Sequence, residues 1–373
     1  MSTPSVSRFL ADLPLVDAHC HGVTTGPVDP DDFALWCTEA SVPSPPGVSY
    51  LDGQLGFALR RWCAPAIGAP SGAPVEVYLE HRAAIGAPAA ARRLLAACGL
   101  SALLVDTGLP DGVDLDDLGA VAGAPAREVV RLERVAERVA ASGVPAAGFA
   151  DAYAEALVAA ATRAVAVKSI LAYRHGLDVD PARPTTAEVT AAAGRWLRTP
   201  GARLTDPVLL RHVLWCGVDT GLPVQLHTGF GDRDLVLARS DPALLQPFCA
   251  AVEPTGTPLV LLHCYPYHRQ AGWLAQVYPH VYLDVGLTVS HLGTRADPVL
   301  AEFCELAPLG KVLYSSDAYR LPELYLVGAA QFRHSFAHLL AGWVDDGALT
   351  RTDAVRVASM VGAGNAGRLY RLD

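Results

Sequence analysis

The sequence contains no uninterrupted apolar run long enough to span a membrane, and no basic stretch precedes an apolar one near its N-terminus. A secretory signal needs the second feature, and a transmembrane helix needs about 20 mainly apolar residues in a row. We therefore expect neither export nor membrane insertion. The expected location is the cytoplasm, where thiols stay reduced.

Cysteine pairs of the CxxC type are also missing, because the eight cysteines are scattered along the chain. This argues against a zinc ribbon or a thioredoxin-like redox site. A basic balance is missing too, since the formal net charge is −9. That charge argues against nucleic acid and anionic membranes as the main partners. The expected partner is a small-molecule substrate, and homo-oligomerisation is left open.

Apolar residues are plentiful, at 51% of the chain, which is enough for one large core. Short apolar runs typical of buried parallel strands lie at about 14–19, 101–106, 128–133, 164–170, 222–227, 258–263, 280–285 and 311–317. Helical segments are predicted between them at 134–142, 151–163, 186–197, 205–217, 242–252 and 268–277. This alternation predicts a (β/α)₈ TIM barrel of the α/β class, formed by residues 1–373 as one domain. A doubly wound open sheet is the alternative, but no GxGxxG turn follows an early strand.

The predicted strands are unevenly spaced, because residues 22–100, rich in proline and glycine, separate the first two. So long a connection in a compact domain is typical of a lid or a small subdomain. In a distorted barrel it would lie over the C-terminal ends of the strands, where active sites form. A second insertion, about 171–221, is expected to supply another wall. The aromatic residues of the lid expected to face the substrate are Trp36, Phe57, Trp62 and Tyr78.

Polar residues stand at the ends of five predicted strands. Strand one ends in DAHCH, and residues two apart on a strand point to the same side, so His19 and His21 aim at one point. The corresponding residues of the later strands are Lys168, His227, His263 and Asp317. Taken singly, a histidine that ends an apolar strand is more often a hydrogen-bonded core residue. Their shared position predicts a centre for one or two divalent cations, Zn²⁺ first, with Mn²⁺ and Fe²⁺ as alternatives.

Lys168 stands in an otherwise apolar strand, where an unpaired ammonium is costly. One solution is carbamylation by CO₂, which converts the amine into an anionic ligand that bridges two metals. Burial beside metal cations favours the neutral amine that this reaction needs. The alternatives are a catalytic or substrate-binding lysine that is not a ligand, and a structural salt bridge, for example with Glu133.

Candidates for binding the substrate lie in the loops after the strands. Arg174, next to Tyr173 after strand four, fits either a substrate carboxylate or a salt bridge at the barrel rim. The further candidates at the mouth are Asp232, after strand five, and Tyr265 and Arg269, after strand six. The residues expected at the surface or behind the ligands are Asp17, His175, His268 and His291, and no metal is expected at Cys20 or Cys264.

Together these strand-end residues resemble the metal pattern of the amidohydrolase superfamily. Longer strings resemble its nodulin-like branch, found alone or fused to glutamine-synthetase-like domains. The resemblance runs from about residue 14 to the end and is weakest over 22–100. The strings are VDAHCH at 16–21, VKSILAYRHGLDV at 167–179, QLHTGFGDRDLVL at 225–237, VYLDVGL at 281–287, LYSSDAYRLPELYLVGA at 313–329 and NAGRLYRL at 365–372.

The resemblance implies metal-dependent hydrolysis of a C–N bond, and the branch implies a γ-glutamyl amide as substrate. Lys168 would bridge the metals, and Asp317 would carry the proton from water to the leaving amine. At a single metal, His263 or His227 would share this role. The alternative enzyme is a metal-dependent non-oxidative decarboxylase of an aromatic or related acid. A binding protein with a degraded site is disfavoured, because no ligand position is missing.

Overall fold

The computed structural model describes residues 6–109 and 113–372. Its centre is one sheet of eight parallel strands, each paired with the next in chain order. The strands are β1 (Leu15–Cys20), β2 (Leu100–Asp106), β3 (Ala126–Arg131), β4 (Ala166–Ser169), β5 (Val224–Thr228), β6 (Leu259–His263), β7 (Val281–Asp284) and β8 (Val312–Leu313). Backbone hydrogen bonds from Ala18 N to Tyr314 O (3.1 Å) and from Asp317 N to His19 O (2.9 Å) join the segment after β8 to β1. These bonds close the sheet into a (β/α)₈ barrel.

The eight strands lie where the apolar runs predict them, so the TIM-barrel prediction is confirmed and the doubly wound alternative is wrong. The last strand is shorter than the predicted 311–317, since only Val312–Leu313 keeps regular pairing. The residues after it also bond to Asp17, whose carboxylate accepts hydrogen bonds from the Ser316 N–H (2.8 Å) and hydroxyl (2.6 Å). The segment that carries Asp317 is therefore fixed both by these side-chain contacts and by the backbone bonds to β1.

Helices surround the sheet and connect its strands. They are α1 (Val6–Ala11), α2 (Pro30–Leu35), α3 (Gln54–Ile67), α4 (Val75–Ile85), α5 (Ala87–Ala97), α6 (Leu115–Ala122), α7 (Leu132–Ala141), α8 (Phe149–Ala161), α9 (Leu171–Arg174), α10 (Thr186–Trp196), α11 (Pro207–Asp219), α12 (Gln246–Val252), α13 (His268–Val277), α14 (Thr288–Leu292), α15 (Ala296–Phe303), α16 (Pro322–Asp345), α17 (Arg351–Ser359) and α18 (Asn365–Tyr370). Short 3₁₀ turns lie at Tyr50–Asp52, Ala146–Gly148, Leu237–Arg239, Pro242–Leu245, Glu253–Thr255, Gly293–Arg295 and Leu309–Lys311, and a π turn at Met360–Gly364. The local sequence determines where a helix begins, as α11 shows. The Asp206 side chain caps it by accepting hydrogen bonds from the second and third helical N–H groups, and the first helical residue is a proline, which has no N–H group.

Apolar side chains bury both faces of the sheet, which explains why the strands appear in the sequence as continuous apolar runs. A large outer layer packs the strands against the helices. A smaller layer fills the barrel and is closed at its N-terminal end by three residues of α18, Ala366, Leu369 and Tyr370. The inner layer consists of Val16, Ala18, Ala102, Leu104, Val129, Ala166, Val260, Leu262 and Leu313.

The insertion between β1 and β2 contains α2 to α5, and most of it packs on the outside of the barrel. Helices α3 and α5 contact α16. A buried ion pair between Arg82 Nε and Glu323 Oε1 (2.6 Å) fixes α4 to the first turn of α16, and the Tyr78 hydroxyl donates to the same oxygen at 2.8 Å. Only the stretch around 35–41 contributes residues to the large cavity at the barrel mouth. Across the described residues, no helix is both long and apolar enough to cross a bilayer.

Candidate active site

Four of the predicted strand-end residues meet at the C-terminal mouth of the barrel around one carboxylate. His19 Nε2 lies 2.7 Å from Lys168 Nζ and 3.1 Å from Asp317 Oδ1. His21 Nε2 lies 3.3 Å from the same aspartate oxygen. All four side chains are buried or nearly so. The residues expected from strands one, four and eight therefore form one cluster of nitrogen and oxygen donors.

The remaining two imidazoles approach from β5 and β6. His263 Nε2 lies 3.7 Å from Asp317 Oδ2, and the ring centroids of His227 and His263 are 4.6 Å apart. His263 and Asp317 both adopt left-handed backbone conformations, with φ of 67° and 53°. Such a conformation costs about 1–3 kcal/mol for a non-glycine residue and concentrates at functional sites. Leu262 faces the barrel interior, so the turn at His263 brings inward a side chain that regular alternation would point outward.

A register shift in β1 has the same effect on its two histidines. Val16 and Ala18 face the barrel interior, so strict alternation would point His19 outward. The pairing of β1 with β2 slips between Asp17 and Cys20, and irregularities of this kind re-aim side chains beside active sites. The alternation rule predicts that His19 and His21 act together, but it does not predict the slip that points them inward.

Gln225 of β5 fixes the orientation of the His19 ring. Its amide nitrogen donates to Ala18 O (2.8 Å) and lies 3.0 Å from the Tyr370 hydroxyl. Because a carbonyl can only accept, Gln225 Oε1 must face His19 Nδ1, 2.9 Å away. His19 Nδ1 therefore carries the proton, and its Nε2 is left with a lone pair directed at the cluster. Partners of this kind set the tautomer of metal-binding histidines.

Two buried aspartates hold the segments that carry the ligands. Asp17 binds Ser316, as described above, and so braces the residue next to Asp317. Asp284 accepts hydrogen bonds from the His263 N–H (2.7 Å) and the Ser315 hydroxyl (2.6 Å). Burial raises the pKa of Asp17 to about 7 despite its hydrogen bonds with Ser316. As expected, Asp17 braces its neighbour and points away from the donor cluster.

Lys168 has a different neighbour from the one considered in the sequence. Its Nζ lies 3.6 Å from Asp106 Oδ2, at the end of β2, and Arg131 donates to the same oxygen through Nε (3.0 Å) and Nη2 (2.6 Å). Glu133, the salt-bridge partner suggested earlier, instead accepts hydrogen bonds from the Ser169 hydroxyl (2.6 Å) and the Ile170 N–H (3.0 Å). The Glu133 suggestion is wrong because that residue lies in the first turn of α7 and its carboxylate binds the end of β4.

The donor set fits a divalent cation. Burial lowers the pKa of His19 to about 3 and also lowers the pKa values of His227 and His263, so the rings are neutral, as metal ligands must be. Burial alone raises the pKa of Asp317, but its contacts with His263, His19 and His21 more than offset this and keep the pKa well below its usual range. Buried Nε2 atoms of His227 and His263 have no hydrogen-bond partner among the described residues. Ligand atoms of His19, His263 and Asp317 all lie within 4.8 Å of one another, close enough for one ion.

A cavity of about 740 Å³ opens above this cluster. Its walls include Tyr173, Arg174 and Asp232, three of the predicted substrate-binding residues. The Tyr173 ring packs against His227 at 4.5 Å between centroids, and its hydroxyl accepts a hydrogen bond from Asp232 N (3.3 Å). Arg174 Nη2 lies 3.1 Å from Glu137 Oε1, while its buried Nε and Nη1 have no partner among the described residues. Arg174 therefore forms the rim salt bridge and still has donors to offer a ligand.

Two predicted mouth residues lie elsewhere. The Arg269 side chain is 58% exposed and pairs with Glu302 (3.2 Å) and Glu305 (2.8 Å). It stands in the first turn of α13, and this turn carries it toward the outer carboxylates and away from the cavity. The Tyr265 ring stacks on His268 at 5.7 Å, between the barrel and that helix. Neither residue lines the cavity, so their placement at the mouth is corrected.

Among the aromatic residues expected in the lid, Trp36 alone lines the cavity. Tyr78 is fully buried against Glu323, and the Trp62 ring contacts His334 of α16 at 5.6 Å. Phe57 is 45% exposed. These three residues belong to helices that pack outside the barrel, which the spacing of strands does not indicate.

Sequence reasoning missed four residues of the site. Asp106 ends β2 and Arg131 ends β3, so the rule that identified the other strand-end residues also applies to them. Glu39, from the insertion, and His291, in α14, line the cavity. His291 was expected at the surface or behind the ligands, and no pattern in the sequence marks Glu39.

Comparisons with known proteins agree with this geometry. A family model described as Amidohydrolase matches residues 16–372. The chain is 34% identical to Protein fluG of Emericella nidulans over 224 residues, which make up 56% of this chain but only 26% of that protein. It is similar to the structure of a "putative metal-dependent hydrolase" of Lactobacillus casei, with a TM-score of 0.86, 27% identity, and coverage of 100% of this chain and 98% of that one. Uronate isomerase of Thermotoga maritima shares the fold, with a TM-score of 0.64, 15% identity, and coverage of 98% and 96%.

Proposed function

The chain belongs to the amidohydrolase family, and from that premise we propose that it uses a bound divalent metal to hydrolyse a C–N amide bond. The proposed substrate is a small molecule with a free carboxylate, such as a γ-glutamyl amide. The observation that carries this proposal is the position of a buried arginine with unused donors, Arg174, in the same cavity as the histidine cluster. The resemblance to the nodulin-like branch supplies the γ-glutamyl group, and that part rests on analogy.

The proposed metal ligands are His19, His21, Lys168, His227, His263 and Asp317. When bound, a divalent cation lowers the pKa of a water molecule toward neutrality and polarises the substrate carbonyl. Zn²⁺ is proposed first, because imidazole and carboxylate donors in a buried site suit it. Lys168 is proposed to take part as a carbamate, since burial lowers the pKa of its amine and so favours the neutral form that reacts with CO₂.

Asp317 is proposed to move the proton during hydrolysis. Its carboxylate is ionised and faces the cavity, so it can accept a proton from the water that attacks the amide carbon. It then returns that proton to the departing nitrogen as the C–N bond breaks, which releases a carboxylic acid and an amine. Asp17, Gln225 and Asp284 hold this machinery without touching the substrate.

Arg174 is proposed to bind the substrate carboxylate and so place the scissile carbonyl over the metal centre. Nε and Nη1 of Arg174, which have no partner among the described residues, are each proposed to donate a charge-assisted hydrogen bond to that carboxylate. Fixing the carboxylate positions the reacting atoms and lowers the entropic part of the barrier. The part of the insertion around 35–41 is proposed to cover the amine side of the cavity.

The test is a panel of γ-glutamyl amides, simple esters, aromatic carboxylic acids and a uronate, offered to metal-loaded protein. We expect amide cleavage with release of glutamate, and a loss of about 10- to 100-fold in kcat/KM in Arg174→Ala. Arg269→Ala is the matched control, because it removes an arginine in carboxylate ion pairs outside the cavity. Release of CO₂ from an aromatic acid, or isomerisation of the uronate, with no amide cleaved, would overturn the proposal of hydrolysis in favour of the observed reaction.

A further inference from the structure

Glu39 and His291 lie close together in the wall of the cavity and are not members of the ligand cluster. Glu39 Oε1 lies 4.0 Å from His291 Nε2, with 34% and 21% of the two side chains exposed. The buried Nε2 atom has no hydrogen-bond partner among the described residues, and the Glu39 carboxyl group forms no hydrogen bond with that part of the chain. The pair is therefore polar, close to the reacting centre and unsatisfied.

The orientation of the His291 ring shows that the pair lacks a hydrogen-bond donor. His291 Nδ1 lies 3.0 Å from Leu287 O. A carbonyl oxygen can only accept, so Nδ1 carries the proton and Nε2 of the neutral ring offers a lone pair. Burial lowers the pKa of His291, which keeps the ring neutral. The lone pair and the Glu39 carboxyl group thus point at the same space, and both need a hydrogen-bond donor once Glu39 is ionised.

The surroundings of Glu39 favour a cationic donor. Burial and, to a smaller extent, the negative charges of Asp317 and Asp232 together raise the pKa of Glu39 to about 8. Without a cation, this carboxyl group is costly to ionise. A bound ammonium removes that cost, because it supplies both the opposite charge and the N–H donors.

Asp232, predicted from the sequence as a substrate-binding residue, has fewer unused acceptor positions than this pair. Its Oδ1 already accepts a hydrogen bond from Asp234 N at 2.9 Å. Asp232 contributes negative charge to this side of the cavity, while Glu39 and His291 offer the unused acceptors.

The segment that carries Glu39 is fixed in place on both sides. The Arg320 guanidinium lies 4.8 Å from the centre of the Trp36 ring. Ala40 N donates to the Thr38 hydroxyl at 3.3 Å, and Ser41 takes a left-handed backbone conformation with φ of 57°. A carboxylate held in this way is ordered before the substrate arrives, which reduces the entropic cost of binding.

We propose that Glu39 and His291 hold the ammonium group of a substrate of the amino-acid type, whose carboxylate binds Arg174. The inference rests on the proposed function for the carboxylate end and for the reaction. It adds the requirement that the substrate be a zwitterion, with its positive group on the side of the cavity formed by the insertion. A molecule without the amine would leave both acceptors unpaired in the complex, and sites built to bind a polar group reject analogues that lack it.

The experiment compares a γ-glutamyl amide with the matching glutaryl amide, which lacks only the α-amino group. Wild-type protein is expected to prefer the γ-glutamyl amide, and Glu39→Gln to reduce that kcat/KM ratio about 10- to 100-fold. His291→Phe, which keeps a planar ring but removes the lone pair, should reduce the ratio in the same direction. Glu76→Gln, which neutralises an exposed glutamate of the same insertion, is the charge-matched control and should leave the ratio unchanged.

An equal loss on both amides in both variants would overturn the assignment, since a merely structural role affects the two alike. Calorimetric binding of glutamate and glutarate to the metal-loaded protein separates this idea from the proposed reaction. If the protein cleaves neither amide but binds glutamate more tightly than glutarate, and Glu39→Gln abolishes the difference, hydrolysis is wrong and the ammonium site stands. Equal binding of the two acids by wild-type protein would refute the site.

Discussion

The two ends of the barrel differ in composition: the N-terminal end is packed with apolar side chains, and the C-terminal end carries polar groups. At the N-terminal end, apolar side chains of the strands pack against Leu369 and Tyr370 of α18, and every inner residue there is buried. At the C-terminal end, the same strands present imidazole, amine and carboxylate groups, and buried nitrogens of His227 and His263 have no hydrogen-bond partner within the described part of the chain. The left-handed backbones of His263 and Asp317 also lie at this end.

The comparison indicates that stability and chemistry are separated along the barrel axis. Packing at the N-terminal end gains free energy from buried apolar surface. The mouth contains desolvated polar groups and strained backbone, which cost free energy of folding. Such features are concentrated at functional sites. Changes at the two ends should therefore have different consequences, and Gln225, which touches both ends, should show how far they are coupled.

The largest effect is expected at the mouth, for Asp317→Asn. The substitution keeps the shape of the side chain but removes the charge and the proton-accepting carboxylate, so kcat should fall about 10³-fold. Thermal unfolding of the metal-free protein should stay close to that of the wild type, because the side chain keeps its size and the lost carboxylate makes no apolar contact. Steady-state kinetics on metal-loaded protein with a calorimetric scan would measure both, and Asp151→Asn, an exposed aspartate of α8, is the control. A fall in stability with kcat retained would contradict the separation.

The next effect is expected inside the barrel, for Leu104→Ala. Leu104 is fully buried in the inner layer, and truncation should lower the free energy of unfolding by about 2–5 kcal/mol through lost burial and the cavity left behind. Activity of the folded, metal-loaded fraction should be unchanged. Denaturant unfolding with kinetics at low temperature would show this, and Leu306→Ala, at a leucine 48% exposed, should change neither quantity. A large loss of kcat in the folded protein would mean that inner packing controls the chemistry.

The same contrast explains what the sequence could predict. The eight strands were predicted because strands buried on both sides leave continuous apolar runs, and the donor cluster because parallel strand ends must converge. The register slip before His19 and the left-handed turn at His263 were not predicted, since they depend on contacts with neighbouring strands. The prediction placed Arg269 at the mouth, but it lies in the first turn of α13. The direction of its side chain depends on where that helix begins, which the strand pattern does not show. Glu39 could not be found, because long insertions carry no periodic signal.

A smaller effect is expected for Gln225→Leu, at the residue that contacts both His19 of the mouth and Tyr370 of the N-terminal end. Leucine is of similar size but cannot accept a hydrogen bond from His19 Nδ1–H, so the ring loses the contact that fixes its tautomer. Loss of such a partner typically costs about 10- to 100-fold in metal affinity. Competition with a chelator would measure the affinity, and Gln246→Leu, at an exposed glutamine at the start of α12, is the control. Unchanged affinity would show that the other ligands orient His19 without help.

The smallest effect is expected for Tyr370→Phe, which tests whether the N-terminal end reaches the metal centre at all. The hydroxyl lies 3.0 Å from Gln225 Nε2, and Gln225 in turn holds His19. Gln225 keeps its bond to Ala18 O in the variant, and that bond alone fixes which end of the amide faces the ring. We therefore expect unfolding to become easier by about 1 kcal/mol, the usual net worth of one hydrogen bond, while the affinity for metal stays the same. Chemical denaturation and chelator competition on one preparation would decide, and a tenfold drop in metal affinity would mean that α18 helps to set the geometry of the mouth.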